Sequence, residues 1–272
     1  MKFLLSDEHL NQFKKNGFLV LKNFFSKNQL KNFISISKDL FEGKYSTGIA
    51  PDRDKWNKNK KSSIPRQLCN VWKSSKDFQK VILNKHIGEI AAKLMGWSGV
   101  KIGQDSLIWV PKKKGGVSMH QDNPYQDWHS SGSTITCWVA LTDVDQNNSG
   151  LQFLKGSHVY GKDKTIKNFF NGKNFTHTIK DRKFKNFEKI SIEGKAGTIS
   201  FHHGNIWHGS NVNNSNNDRI SISIHLIPAS SKYSKNVNHS IYSRYKKFNS
   251  TEMDENFFPI LWTKNGSRSS FL

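Results

Sequence analysis

The sequence predicts a mainly β protein with helices, an α+β chain built on a β-sandwich or jelly roll with its helices packed on one sheet. Two observations predict it. Helical periodicity dominates roughly the first third of the chain, and from about Val100 the apolar period drops to two. The period-two segments are also separated by clusters of Gly, Asn and Ser, as antiparallel strands are.

The elements follow in order. Ser6-Asp7-Glu8 opens an amphipathic helix running through Lys15, with a capping residue ahead of the apolar face. Gly17-Phe18-Leu19-Val20-Leu21 is a short apolar strand. Ser26 opens a second helix, with Leu30, Phe33, Ile34 and Leu40 at helical spacing. Residues 44–64 are polar and Lys-rich and contain Gly48 and Pro51, which predicts a loop and a candidate lid. A helix is expected over 76–95, ending at Gly96. Strands are expected over 100–110, 133–144, 187–193, 197–203 and 219–227. The tail, 231–272, reads as irregular, with an aromatic patch at Phe257-Phe258-Pro259-Ile260-Leu261-Trp262. There is no internal repeat. We expect one domain over 1–272: a mainly helical part (1–98), a β core (99–230) and an irregular extension (231–272).

Composition narrows the function classes. Hydrophobic residues make up 35% and aromatics 12%, enough for a globular core. The formal charge is +21, from 42 Lys+Arg against 21 Asp+Glu. Such an excess suits an anionic small-molecule partner, but it is equally what a solvated, Lys- and Asn-rich surface gives. Runs such as Lys112-Lys113-Lys114 are too brief for nucleic-acid binding, and no zinc finger, basic helix or RNA-binding motif accompanies them. No nucleic-acid partner is expected. Cys69 and Cys137 are the two cysteines and neither sits in a CxxC pair, so neither a disulfide framework nor a structural zinc site is expected. Met1–Leu5 is too short an apolar stretch for a signal peptide, and no apolar run approaches the ~20 residues of a membrane span. A cytoplasmic protein off the membrane is the expectation.

Two strands carry chemistry on one face. In Ser133–Asp143, Ile135, Cys137, Val139 and Leu141 face one way, and Thr134, Thr136, Trp138 and Ala140 the other. In Arg219–Pro228, Ile220, Ile222, Ile224 and Leu226 oppose Arg219, Ser221, Ser223 and His225. A polar face usually meets water, but one holding Trp, Arg and His also suits a polar cavity inside a barrel. His120-Gln121-Asp122 follows the turn Lys114-Gly115-Gly116, and strand alternation would put His120 and Asp122 on one face. With a third His from a distant strand, they would make the two-His, one-carboxylate set of non-haem iron oxygenases, which leaves adjacent metal positions open. Alone, a His-x-Asp is a weak signal. His202, His203 and His208 lie in the segment Gly197–Ser210. His208 has the best relation to Arg219, eleven residues on, whose guanidinium could return towards the metal and grip a dicarboxylate. His202 and His203 precede the Gly204-Asn205 turn and are expected to line or flank the pocket.

The chain resembles the phytanoyl-CoA dioxygenase family of iron(II)- and 2-oxoglutarate-dependent oxygenases. The resemblance is carried by Phe13–Phe25, His120-Gln121-Asp122, Trp138-Val139-Ala140-Leu141-Thr142-Asp143, Asn148-Ser149-Gly150-Leu151, Gly156-Ser157-His158 and His208-Gly209-Ser210 with Arg219. It implies a double-stranded β-helix, that is a cupin-like jelly roll. It implies that His120, Asp122 and His208 ligate Fe(II), and that Arg219, Ser210 and Trp138 hold 2-oxoglutarate. It also implies that 2-oxoglutarate and O2 are cosubstrates, with succinate and CO2 released as a C–H bond of a small molecule is hydroxylated. Related iron halogenases have a small residue in place of the carboxylate; Asp122 favours oxygen insertion or desaturation over halogenation. A non-catalytic cupin-like binding protein is the alternative.

Around this set, Ser221 is a further candidate for the 2-oxoglutarate carboxylate. Gln104, Gln121, Tyr125 and Trp128 are candidates for the substrate pocket, with Gln67 and Asn70 behind them. His158 reads as ordering a turn and His225 as a satisfied barrel histidine rather than a ligand. The substrate and the oligomeric state are not legible.

Overall fold

Ser6 starts the first helix as expected. Its hydroxyl accepts from the His9 backbone N–H, and the His9 ring accepts from the Ser6 N–H, so two otherwise orphan donors are satisfied reciprocally in α1 (Asp7–Asn16). The helix ends at Gly17, which has φ +81° and where an added Cβ would meet His158 Nδ1 at 2.5 Å. β1 (Phe18–Leu21) follows. The structure, a computed structural model, describes residues 3–54, 65–164, 169–170, 186–235, 237 and 241–272. Of the expected lid 44–64, residues 55–64 lie outside the described residues.

Both longer expected helices are divided. The second becomes α2 (Lys27–Leu30) and α3 (Phe33–Phe41). The third becomes α4 (Lys76–Ile82) and α5 (Lys85–Met95), because Asn84 caps the His86 N–H and starts a new helix. The strands are β2 (Arg53–Asp54), β3 (Arg66–Cys69), β4 (Gly99–Val110), β5 (Val117–His120), β6 (Ile135–Ala140) and β7 (Leu151–Leu154). They continue as β8 (Lys189–Ser191), β9 (Ile199–His203), β10 (His208–Ser210), β11 (Arg219–Pro228) and β12 (Ile260–Thr263). The expected strands 133–144 and 187–193 are shorter than their patterns, and β2, β3, β5, β7, β10 and β12 are additions, β2 within the segment expected as a loop.

They form two antiparallel sheets. The larger runs β1-β9-β6-β11-β4-β3-β2, with β12 also on β4; the smaller runs β5-β10-β7-β8. The two faces of β6 and β11 divide as their alternation requires. Ile135, Cys137, Val139 and Leu141, with Ile220, Ile222, Ile224 and Leu226, join the main core with Phe78, Ile87 and Ala91 from α4 and α5. The opposite faces turn towards the smaller sheet. The fold is a jelly roll with the helices on the outer face of the large sheet. The tail is not wholly irregular, since β12 extends the large sheet and Tyr233, Tyr242 and Phe258 pack on Trp128. Among the described residues no helix is long and apolar enough to cross a membrane.

Candidate active site

The space between the sheets is a cavity of about 320 Å3. One wall comes from short strands of the small sheet. His120 ends β5 and His208 opens β10, and the two are cross-strand partners, with ring centroids 4.2 Å apart. Asp122 lies beyond the strand, at the start of the 3-10 turn Asn123–Tyr125, so strand alternation does not place it as expected. It is set instead by the Gly204 carbonyl, which accepts from the backbone N–H of both Asp122 and Asn123 at 2.9 Å. A Cβ on Gly204 would meet Asn123 Oδ1 at 2.1 Å, so only glycine allows the two loops to approach.

The buried side chains of His120, Asp122 and His208 converge, with their donor atoms all within 4.8 Å of one another. Asp122 Oδ1 is 3.6 Å from His120 Nε2 and 3.7 Å from His208 Nε2. The far ring nitrogens are engaged, His120 Nδ1 with Ser118 O at 2.7 Å and His208 Nδ1 with Ile206 O at 3.0 Å. A carbonyl only accepts, so each Nδ1 carries the proton and each Nε2 presents a lone pair to the centre. Burial alone would raise the Asp122 carboxyl, but His208 and His225 beside it hold it well below the usual carboxylate range. Burial pushes His208 well below an ordinary histidine, the direction that suits a metal ligand. Two imidazoles and a carboxylate form the donor set that suits a divalent transition ion.

The opposite wall is the large sheet. Its antiparallel register puts His202, Thr136, His225 and Gln104 in one row across β9, β6, β11 and β4. The next row holds Ser200, Trp138, Ser223 and Ser106. Arg219 enters from the start of β11 and is almost wholly buried. Its Nη1 donates to Ser221 Oγ at 2.7 Å, its Nη2 to Ser210 Oγ at 3.2 Å, and its Nε to Ser149 O at 3.1 Å. Ser149 Oγ donates to Ser210 Oγ at 2.9 Å. Among the described residues no carboxylate pairs with Arg219, and burial lowers its pKa to about 9, so it remains charged at neutral pH. A desolvated guanidinium held only by neutral groups is a receptor for an acid group from outside the chain.

Gln104, Tyr125, Trp138, Ser210 and Arg219 line the cavity together with Gln67, His202 and His225, while Ser221 reaches it through Arg219. Gln121 and Trp128 are not among its lining residues. Gln121 donates to Gly161 O at 2.8 Å and accepts from the Asp163 N–H at 2.7 Å, tying loops together behind the site. Trp128 stacks on Tyr242 at 3.9 Å and donates to Gln126 Oε1 at 3.0 Å, so it supports a lining residue from outside. Asn70 is withdrawn too, donating to Asp52 Oδ2 at 2.6 Å. His203 flanks the site, its Nδ1 accepting from the Asn205 N–H at 3.0 Å. His158 contacts Lys14 O at 3.2 Å, so its ring reaches out of its own turn to the end of α1. Sequence reasoning missed Thr136, Ser149, Gln126, Ser106 and Phe169. Ser149 had a signal, a serine in a turn beside glycine, and it adopts φ +68°.

Residues 13–221 match the family model of phytanoyl-CoA dioxygenase (PhyH). The peroxisomal phytanoyl-CoA dioxygenase of Bos taurus is 27% identical over 242 residues, 85% of this chain and 71% of that protein. A Stutzerimonas stutzeri protein named "Probable alpha-ketoglutarate-dependent hypophosphite dioxygenase" is 22% identical over 216 residues, 76% of this chain and 73% of that one. Among solved structures, the epimerase SnoN in complex with Fe3+, alpha ketoglutarate and nogalamycin RO shares the fold. Its TM-score is 0.74 at 16% identity, covering 94% of this chain and 98% of that one.

Proposed function

The chain belongs to the phytanoyl-CoA dioxygenase family and is an iron(II)- and 2-oxoglutarate-dependent dioxygenase; from that premise we propose which residues do the work and what kind of substrate they accept. His120, Asp122 and His208 hold the iron, and Arg219, braced by Ser149, Ser210 and Ser221, takes the distal carboxylate of 2-oxoglutarate, with Trp138 against the cosubstrate. When bound, iron(II) with 2-oxoglutarate and O2 supplies an oxidising centre that inserts oxygen into a substrate C–H bond, while the cosubstrate leaves as succinate and CO2. The observation that carries this is the buried Arg219, without a carboxylate partner among the described residues, facing the His-Asp-His set across one cavity. A protein that only stored a metal would have no use for a desolvated guanidinium there.

The chain's own residues prepare the reaction. The Nδ1 contacts to Ser118 and Ile206 fix both imidazole tautomers before metal arrives. Arg219, held in place by Ser149, Ser210 and Ser221, offers the cosubstrate a charge-assisted pair that orients it across the cavity. Burial of the whole set excludes bulk water from the reacting centre.

The substrate is a small molecule that makes hydrogen bonds. Gln67, Gln104, Ser106, Gln126 and Ser223 line the remaining wall with amides and hydroxyls. Of the lining residues, Arg219 is the one with a permanent positive charge, and the cosubstrate claims it. The net charge of the chain therefore gives no support, among the described residues, to an anionic substrate. We further propose that the chain works as one unit in a reducing, cytoplasmic setting, which its two buried cysteines, not joined in a disulfide, suit.

The experiment is succinate release from 2-oxoglutarate with iron(II) under air, over a panel of small acids, amines, phosphonates and CoA esters. Wild type should release succinate and be stimulated by its substrate; the His120→Ala, Asp122→Ala and His208→Ala proteins should not. Full turnover by His208→Ala would move the third ligand to His202 or His203. Succinate release by all three variants at the wild-type rate would overturn the metal assignment.

A further inference from the structure

The two oxygens of Asp122 have unlike surroundings. Oδ1 faces His120 Nε2 and His208 Nε2. Oδ2 faces the large sheet, where it accepts from Thr136 Oγ1 at 2.6 Å and lies 3.7 Å from His225 Nδ1 and 3.3 Å from His202 Nε2. Resting on the metal assignment above, we propose that His225 and Thr136 form a positioning relay that keeps Asp122 to a single metal-facing oxygen.

The polarity of the relay follows from counting protons. A carboxylate oxygen can only accept, so the one hydroxyl proton of Thr136 is committed to Asp122 Oδ2. Thr136 Oγ1 must then accept in its 2.8 Å contact with His225 Nδ1, which makes Nδ1–H the donor. Each member thus has one role, and His225 acts on Asp122 through Thr136. The spacing is set by the sheet itself, because Thr136 is the cross-strand partner of His225 on one side and of His202 on the other.

The relay matters because of how many positions the centre must leave free. With iron bound, His120, His208 and one oxygen of Asp122 would hold it and would leave positions open for the keto acid and O2. A carboxylate free to turn would offer both oxygens to a hard cation and consume one of those sites. The hydrogen bond to Oδ2 holds that oxygen away. His225, which sequence reading takes for a satisfied barrel histidine, is satisfied in a way that reaches the metal ligand.

The test is a double-mutant cycle read as iron(II) affinity by equilibrium titration, together with 2-oxoglutarate affinity of the iron-loaded protein. Thr136→Val should lose roughly 10- to 100-fold in one or both affinities, the usual cost of removing a partner behind a metal ligand. Thr136→Ser, which keeps the hydroxyl, should recover most of that loss. His225→Leu should fall in the same direction and His225→Asn, whose amide N–H sits where Nδ1–H does, should recover. The Thr136→Val/His225→Leu protein should bind little more weakly than Thr136→Val alone, because the direct His225 Nδ1 to Asp122 Oδ2 separation of 3.7 Å is too long for a hydrogen bond. Additive losses in the double variant, or wild-type affinities in folded Thr136→Val, would overturn the relay. Should Thr136→Val not fold, the His225→Leu and His225→Asn pair decides by the same criterion. His120→Ala separates the two levels. If it loses iron while Thr136→Val binds normally, the relay alone fails; if it keeps wild-type affinity, the metal assignment fails and takes the relay with it.

Discussion

At the scale of single residues, Arg219 and Asp105 show how burial turns a charge into a device. Arg219→Ala should raise the 2-oxoglutarate requirement about 10- to 100-fold, since a charge-assisted pair is worth roughly 1.5–3 kcal/mol. Iron affinity should barely change, because Arg219 touches serines rather than the metal ligands. Arg219→Lys should recover little, because one ammonium cannot reproduce a fork that reaches Ser149, Ser210 and Ser221 together. Titration of the iron-loaded variants checks both; unchanged 2-oxoglutarate affinity in Arg219→Ala would pass its role to another base. Asp105 lies on the far face of β4, where its carboxylate accepts from the Val71 and Trp72 N–H groups at 2.9 and 3.3 Å. Burial outweighs those bonds and lifts its pKa to about 7 from 3.8. The folded state then holds a proton that the unfolded chain releases, so the stabilisation is full below about pH 4 and is lost as pH rises through about 7. Asp105→Asn should lower stability overall yet flatten the fall between those pH values. Denaturant melts at several pH values check the slope, and a wild-type slope in the variant would refute the shift.

At the scale of elements, the site depends on short strands joined by close backbone contacts. Gly204 sits where a Cβ would strike Asn123 Oδ1 at 2.1 Å and Thr134 O at 2.7 Å. Gly204→Ala should therefore lower the melting temperature and weaken iron binding together, because the Gly204 carbonyl is what places Asp122. Gly132→Ala, at a position with open space but φ +56°, should cost some stability and leave iron affinity alone. Calorimetry and iron titration of the pair test this; iron affinity untouched in Gly204→Ala would refute it. What could be read from sequence divides along the same line. The long strands β4, β6 and β11 are legible because period two persists for six residues or more, and this put Trp138, Arg219 and His225 on the inner face correctly. β5, β7 and β10 are three or four residues long, too few to show a period. Their existence depends on each other's register rather than on local pattern. Thr136 was placed on the right face, but its bond to Asp122 crosses between sheets, a distance no single strand encodes. Trp128 and Gln121 looked like pocket residues from their nearness to His120 in sequence. The 3-10 turn and the tail pull both away.

At the scale of the whole molecule, the tail and the core should behave as one body. Tyr242 hydrogen-bonds to Gln104 and Tyr245 to Asp52, while β12 lengthens the large sheet. We expect thermal unfolding followed by far-UV circular dichroism and by Trp fluorescence to give coincident transitions. An early, separate transition would divide residues 231–272 from the rest. The iron ligands lie on or beside the small sheet and the cosubstrate clamp begins on the large one, with Ser149 and Ser210 reaching back. Neither layer alone contains a site. A chain that has paired one sheet but not docked the other would therefore be chemically silent. It could not hold metal and cosubstrate together while still incomplete, so the last step of assembly is also what arms the 2-oxoglutarate-driven reaction.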